Sequence, residues 1–454
     1  MRQPTCLRSN SRRLVAALFL SLLGGLAQAA ESDPADTASP TASLDAALVK
    51  AKARHAPVLI DFYAPWCYSC YYMAKNVKNG AEWEALEKTA VVLELDADAP
   101  DGAHWIKQWT VKGLPSYVVL NENGEELGRI PLEQTRPEFY KKINAIIAHG
   151  NPIDALKAKV KDGSPASVAA ARQVLAAYAA RRQGDEGLAW REAQAETVKS
   201  ALDKDTEAKL WIARLKLLAA ATAKQPDAVV AIAPQVFAGD LGCERAYEVG
   251  RALDATEGLP ADQRKALFAP EQKKFDALLK TRVFIPKPTC ADARSEIETA
   301  VELDKALGDD KAAVAVLDRA ITDTRSKIGG NLKKDRNLSD NLRVYLDLAG
   351  KTDELDALYP QLIAAYPDDY VYAFRFGRSL AARGQYDKAL PLLEQAAPKA
   401  YGANRLQVAQ VRAEVLVKLN RANDAKQVVA DALKANGPFF PEQAAKLKAT
   451  VSSS

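Results

Sequence analysis

Histidine, methionine and aromatic side chains are scarce: three, two and 7% respectively in a chain of 454 residues. The three histidines, His55, His104 and His149, do not stand in ligand spacing with the cysteines, so a zinc site lacks its second ligand pair, and neither a metal nor a cofactor is expected. Charge of one sign is also missing. The 62 basic and 58 acidic residues leave a net +4, and four arginines sit in the first thirteen positions, so the rest of the chain is near neutral and nucleic acid is not an expected partner. After residue 30 no apolar run is long enough to cross a bilayer. Few aromatics with abundant alanine favour a largely helical chain, and its length exceeds what one core usually organises, so two or three domains are expected.

The single apolar run lies at the start. Arg2, Arg8, Arg12 and Arg13 precede Leu14 to Leu26, and Ala27-Gln28-Ala29 is a small-x-small cleavage site. Residues 1–29 therefore read as a secretory signal peptide, in preference to a retained anchor, and the short arginine-rich start suggests export to a periplasm. Residues 30–42, rich in Pro, Ser, Thr, Asp and Ala, read as a flexible linker. Cys6 leaves with the leader. Cys67, Cys70, Cys243 and Cys290 remain, an even number that permits two disulfides in an oxidising compartment.

Residues 66–70 read Trp-Cys-Tyr-Ser-Cys, after the apolar, β-branched run Pro57-Val-Leu-Ile-Asp-Phe-Tyr-Ala-Pro65. That puts two cysteines at a strand-to-helix turn. On the first helical turn they can close a small disulfide ring, and the orphan N–H groups there stabilise a thiolate on the outer one. The chemistry suggested is thiol–disulfide exchange, with a metal clip or an inert disulfide as the competing readings.

The surrounding pattern, residues 43–149, gives the order helix, strand, helix, strand, helix, strand, strand, helix. Ser43 is the expected N-cap of the first helix, Ala90 to Leu95 and Ser116 to Leu120 are further strands, and His104 to Trp109 between them is helical in pattern. Asn121 to Gly124 is a hairpin turn to Glu126–Ile130, and Pro137 to Ala148 is the closing helix. This describes an α/β unit, a mixed sheet with helices on both faces. Asp61-Phe-Tyr-Ala-Pro-Trp-Cys67, Cys70 and the Gly113-Leu-Pro-Ser116 turn resemble the thioredoxin fold, and in detail the soluble reductase domain of the DsbD thiol:disulfide interchange family.

The resemblance implies roles. Cys67 is the nucleophile that attacks a substrate disulfide and Cys70 resolves the mixed disulfide. Asp61, on one side of its strand with Leu59 and Tyr63, is the proton acceptor, its pKa raised by burial. Trp66, Leu114 and Pro115 form the substrate-binding surface, with Pro115 in the cis form. Two departures leave the redox potential open: Tyr68-Ser69 replaces the common Gly-Pro, and no lysine stands near Val92 to tune the buried acid. Tyr71 and Tyr72 fit a partner groove or helix packing equally well.

From about residue 150 only helical periodicity is visible. Residues 150–290 read as a helical region without a recognisable repeat, and residues 291–450 as helical repeats. Phe376, Gly377, Leu380, Gly384, Tyr386, Ala389, Leu393 and Ala396 resemble a tetratricopeptide (TPR) unit, and Ala413, Leu416, Ala425, Val429 and Ala432 a second. Cys243 and Cys290, in loops of this tail, are expected to form a structural disulfide worth roughly 3–4 kcal/mol. A relay with Cys67 and Cys70 is the sharper alternative.

The expected protein is thus an exported, periplasmic protein-disulfide reductase. Its partners would be disulfide-containing exported proteins, bound through the tail, and a DsbD-like membrane electron donor. The alternative is a periplasmic TPR-type binding or scaffold protein whose thioredoxin-like domain serves only for docking.

Overall fold

The computed structural model describes residues 42–452; the expected leader and most of the linker lie outside the described residues. The first part runs α1 (Ala42–Arg54), β1 (Val58–Tyr63), α2 (Tyr68–Asn76), α3 (Gly80–Thr89), β2 (Val91–Asp96), α4 (Pro100–Gln108), β3 (Ser116–Leu120), β4 (Glu126–Pro131) and α5 (Arg136–His149). Every strand and helix expected there forms. Ser43, however, lies inside α1, which already takes in Ala42, so it is not the N-cap. The helix expected from His104 begins four residues earlier at Pro100, whose fixed φ suits a first helical turn.

The four strands form one sheet in the order β2-β1-β3-β4, with β1 parallel to β2 and antiparallel to β3. Strand alternation divides β1 between two cores. Val58, Ile60 and Phe62 face α1 and the Trp105 and Trp109 side chains, while Leu59 faces Met73 and Val77 of the α2 segment and Phe139 and Ile143 of α5. Asp61 shares the Leu59 face. The sheet therefore carries α1 and α4 on one side and α2, α3 and α5 on the other.

Seventeen α-helices follow among the described residues, from Ile153–Ala158 to Pro441–Ser452, with no strand. One apolar core runs from Ala213 to Tyr372 and another from Tyr370 to Leu447. At Gly377 an added Cβ would stand 2.9 Å from Leu393, so this small residue lets the helices Val371–Ala382 and Tyr386–Ala396 touch. No helix among the described residues is long and apolar enough to cross a membrane.

The tail packs onto the sheet unit. Arg181, at the end of the helix Pro165–Ala180, pairs with Glu126 of β4 at 2.7 Å. The helix Gly402–Lys418 starts against the turn after β2: the Ala403 N–H donates to the Asp98 carbonyl at 3.0 Å and the Tyr401 hydroxyl donates to Asp96. Gly402 has φ +50°, and a Cβ there would lie 1.8 Å from the Asp98 carbonyl oxygen. Gly402→Ala is expected to cost more than about 2 kcal/mol in urea unfolding, through left-handed strain and the clash together. Gly384→Ala, also at positive φ but with open space around it, is the control, expected to cost only about 1 kcal/mol. Equal losses would show that the contact at Asp98 does not hold the tail.

Candidate functional site

Cys67 is the N-cap of α2, and its sulfur accepts the Cys70 backbone N–H at 3.1 Å. The first-turn amides of a nine-residue helix thus point at this sulfur, the arrangement that stabilises a thiolate. The two cysteines form a disulfide, and with Ala64 they make a small cluster against which Tyr63, Ala97 and Leu114 pack. Leu114–Pro115 is the one cis peptide among the described residues, and Pro115 is buried beside this cluster's Leu114. Three of the residues singled out in the sequence, Cys67, Cys70 and Leu114, therefore meet, with Pro115 next to Leu114 in the chain. Trp66 is at the edge, its indole N–H donating to Asp98 at 2.6 Å.

Asp61 lies on β1, 1% exposed and paired in register with Glu94. Burial is the largest influence on its carboxyl and pushes it up to about 6, while the charge and hydrogen bond of Lys78 pull it back and Glu94 adds to the rise. The lysine missing near Val92 is supplied from elsewhere: Lys78, just past α2, donates to Asp61 and, at 2.7 Å, to Glu94. The second Asp61 oxygen, Oδ1, has no hydrogen-bond partner, which leaves it open to receive a proton.

Tyr68, the first of the two middle residues of the motif, is held by the tail. The Tyr68 hydroxyl donates to Asp292 at 3.2 Å, the Arg294 guanidinium lies 3.6 Å from its ring centre, and its backbone carbonyl accepts from Asn337 at 2.9 Å. Buried cation–π contacts of this kind are worth about 2 kcal/mol. Tyr71 lies under Arg336, 4.3 Å from its ring centre, so it packs against the tail, whereas Tyr72 packs against the α5 side of the sheet. The Trp66 carbonyl accepts from Arg375 at 2.9 Å.

Asp340 joins these contacts. It is fully buried and pairs with Arg294 at 2.7 Å, Arg343 at 3.0 Å and Arg375. Burial by itself would raise its carboxyl, but the three guanidinium groups overcome that and hold it well below the usual carboxylate range. Cys67 is 4% exposed and Cys70 9%. None of these tail residues was singled out in the sequence. Isolated arginines in amphipathic helices read as solvated surface, and only folding shows that three of them converge.

Beside the motif, Glu133 is buried, and burial with the Asp292 charge holds its carboxyl well above the usual range against the pull of Ser69 and Arg294. Glu133 and Asp292 line a cavity of about 900 Å³ between β4 and the tail. Cys243 and Cys290 form the second disulfide, in the tail core and outside the Cys67 cluster. With Glu296 they make the one group of three potential metal ligands among the described residues, but sulfurs joined to each other are not thiolate ligands.

A four-stranded mixed sheet with this pair at a helix N-terminus beside a cis-proline defines a thioredoxin-like domain. The family of that description matches residues 44–147, and the chain belongs to it. The thiol:disulfide interchange protein TxlA of Synechococcus elongatus is 30% identical over 137 residues, covering 30% of this chain and 69% of that protein. The thiol:disulfide interchange protein DsbD 2 of Pseudomonas aeruginosa is 37% identical over 92 residues, 20% of this chain and 16% of that one. DsbD of Klebsiella pneumoniae is 33% identical over 90 residues, 19% and 15%. This chain therefore spans only 15–16% of the length of these DsbD relatives.

The buried acid gives a signed pH test. Folding raises the Asp61 pKa from 3.8 to about 6. Stability through this group is then fully present below 3.8 and lost as pH rises through about 6, a change of roughly 3 kcal/mol. Asp61→Asn removes that dependence. The difference between wild-type and variant unfolding free energies is expected to shift in the variant's favour from pH 4 to pH 7, and parallel pH curves would contradict a raised Asp61.

Proposed function

We propose that this protein is an exported thiol:disulfide oxidoreductase acting as a protein-disulfide reductase. The observation that carries the reading is Cys67 capping α2, with Cys70, Leu114 and cis-Pro115 gathered around it. The Cys67 thiolate attacks a substrate disulfide, forming a mixed disulfide and releasing one substrate thiolate. Cys70, deprotonated with Asp61 as acceptor, then attacks Cys67, releasing the second thiolate and closing the Cys67–Cys70 bond. Trp66, Leu114 and Pro115 bind the substrate chain next to the attacked sulfur.

The leader in residues 1–29 supports a periplasmic location, and there a reductant draws electrons from a membrane donor of DsbD type. The tail, with TPR-like units between Tyr372 and Ala432, selects partners. Direction rests on similarity to the interchange proteins. A potential for Cys67–Cys70 near roughly −120 mV would assign an oxidant instead.

A second reading has its own support: Cys67 is 4% exposed and the tail binds the Trp66 and Tyr68 carbonyls on either side of it, as in a scaffold whose thioredoxin-like domain only docks. One experiment separates the two. Cys70→Ala is expected to accumulate partners as mixed disulfides on Cys67 that dithiothreitol releases, and Cys67→Ser to lose insulin-disulfide reduction. An absence of trapped partners together with unchanged insulin reduction in Cys67→Ser would leave the scaffold reading.

A further inference from the structure

The second disulfide is built unlike an inert clip. Cys290 is 1% exposed, while Cys243 is half-buried and lines the 900 Å³ cavity between β4 and the tail. One carboxylate oxygen of Glu296 and the two sulfurs all lie within 4.8 Å of one another. Glu296 is itself 1% exposed, and neither of its carboxyl oxygens has a hydrogen-bond partner. A buried acid with no partner is costly to fold in, and it stands against a disulfide.

We propose that Cys243–Cys290 is a second redox-active site, reduced by a thiol that enters the cavity and attacks Cys243, with Glu296 protonating the departing Cys290 sulfur. The incoming thiolate forms a bond to Cys243 Sγ; the Cys243–Cys290 bond breaks, and its electron pair goes to Cys290 Sγ. That sulfur is buried, so its thiolate form is disfavoured unless a proton arrives with the charge. The Glu296 O–H, directly or through one water, supplies it. A second thiol then attacks the incoming sulfur, leaving Cys243 reduced and the attacking thiols joined as a disulfide. Overall, two thiols and one disulfide exchange two electrons and two protons.

Glu296 is suited to give a proton at neutral pH. Burial pushes its carboxyl up to about 9, the Asp292 charge adds to the rise, and Arg245 and Arg282 oppose it. Arg245 is itself paired with Glu271 at 2.6 Å, which weakens its pull. The reductant is a thiolate, from either the Cys67–Cys70 dithiol of this chain or a small free thiol. Because the site does not need Cys67 in the second case, it can be tested apart from the reductase reading.

The test uses the full chain carrying Cys67→Ser and Cys70→Ser, incubated folded in glutathione and followed by alkylation and mass spectrometry. Cys243–Cys290 is expected to be reduced, with a rate constant per glutathione thiolate that is flat below about pH 9 and falls above it. Adding Glu296→Gln should lower that constant at least about tenfold below pH 9 and remove the fall, while Glu296→Asp retains part of it. Incubated instead with glutathione disulfide, Cys290→Ser should take up one glutathione at Cys243 and release the other as a thiol, and Cys243→Ser should take up none at Cys290. Faster reduction in the chain with Cys67 and Cys70 restored and pre-reduced would assign the donor to that dithiol, and an unchanged rate would assign it to the free thiol. Reduction only after unfolding in urea, or equal constants for wild-type Glu296 and Glu296→Gln, would overturn the proposal.

Discussion

Asp340 is the residue on which the arrangement around the cysteines depends. A carboxylate with no exposure survives only if its desolvation is repaid by charge and hydrogen bonds, and three arginines do so. Two of the three have a second task. Arg294 lies over the Tyr68 ring and Arg375 binds the Trp66 carbonyl, so the ion cluster that neutralises Asp340 also fixes the residues on both sides of Cys67. Losing the carboxylate would leave three cations competing for water next to the motif.

This gives a physical account of the Tyr-Ser pair inside the motif. Tyr68 reaches Asp292 and lies under Arg294, and Ser69 lies beside the buried Glu133. The tail thereby supplies part of the wall around the disulfide, and the cavity behind that wall extends to Cys243. Tyr68 of the motif and Cys243 of the second disulfide are thus linked through Asp292, which accepts from Tyr68 and lines the cavity.

Much of the sheet unit was legible because its signals are local. The β-branched run at Val58–Tyr63, the Asn121–Gly124 turn and the cysteine spacing each act within a few residues. Ser43 was misplaced because helix ends shift by a residue either way, and the start at Pro100 was missed by four because a proline and Gly102 weaken a helical pattern even where a first turn admits them. Lys78 went unnoticed since it reaches Asp61 from a position seventeen residues away that no strand pairing marks. The convergence of Arg294, Arg343 and Arg375 on Asp340 was invisible for a stronger reason: amphipathic helices show which face is buried but not what it is buried against.

The helical tail closes over both neighbours of Cys67, holding the Trp66 and Tyr68 carbonyls through Arg375 and Asn337. The direct measurement is the alkylation rate of Cys67 by iodoacetamide in the reduced full chain, compared with a chain carrying Arg375→Ala and Asn337→Ala. If the cover holds, wild-type Cys67 reacts slowly for its thiolate fraction and the double variant reacts at least about tenfold faster with its fold intact. Wild-type reaction at the rate of an open thiolate, unchanged in the variant, would contradict the claim.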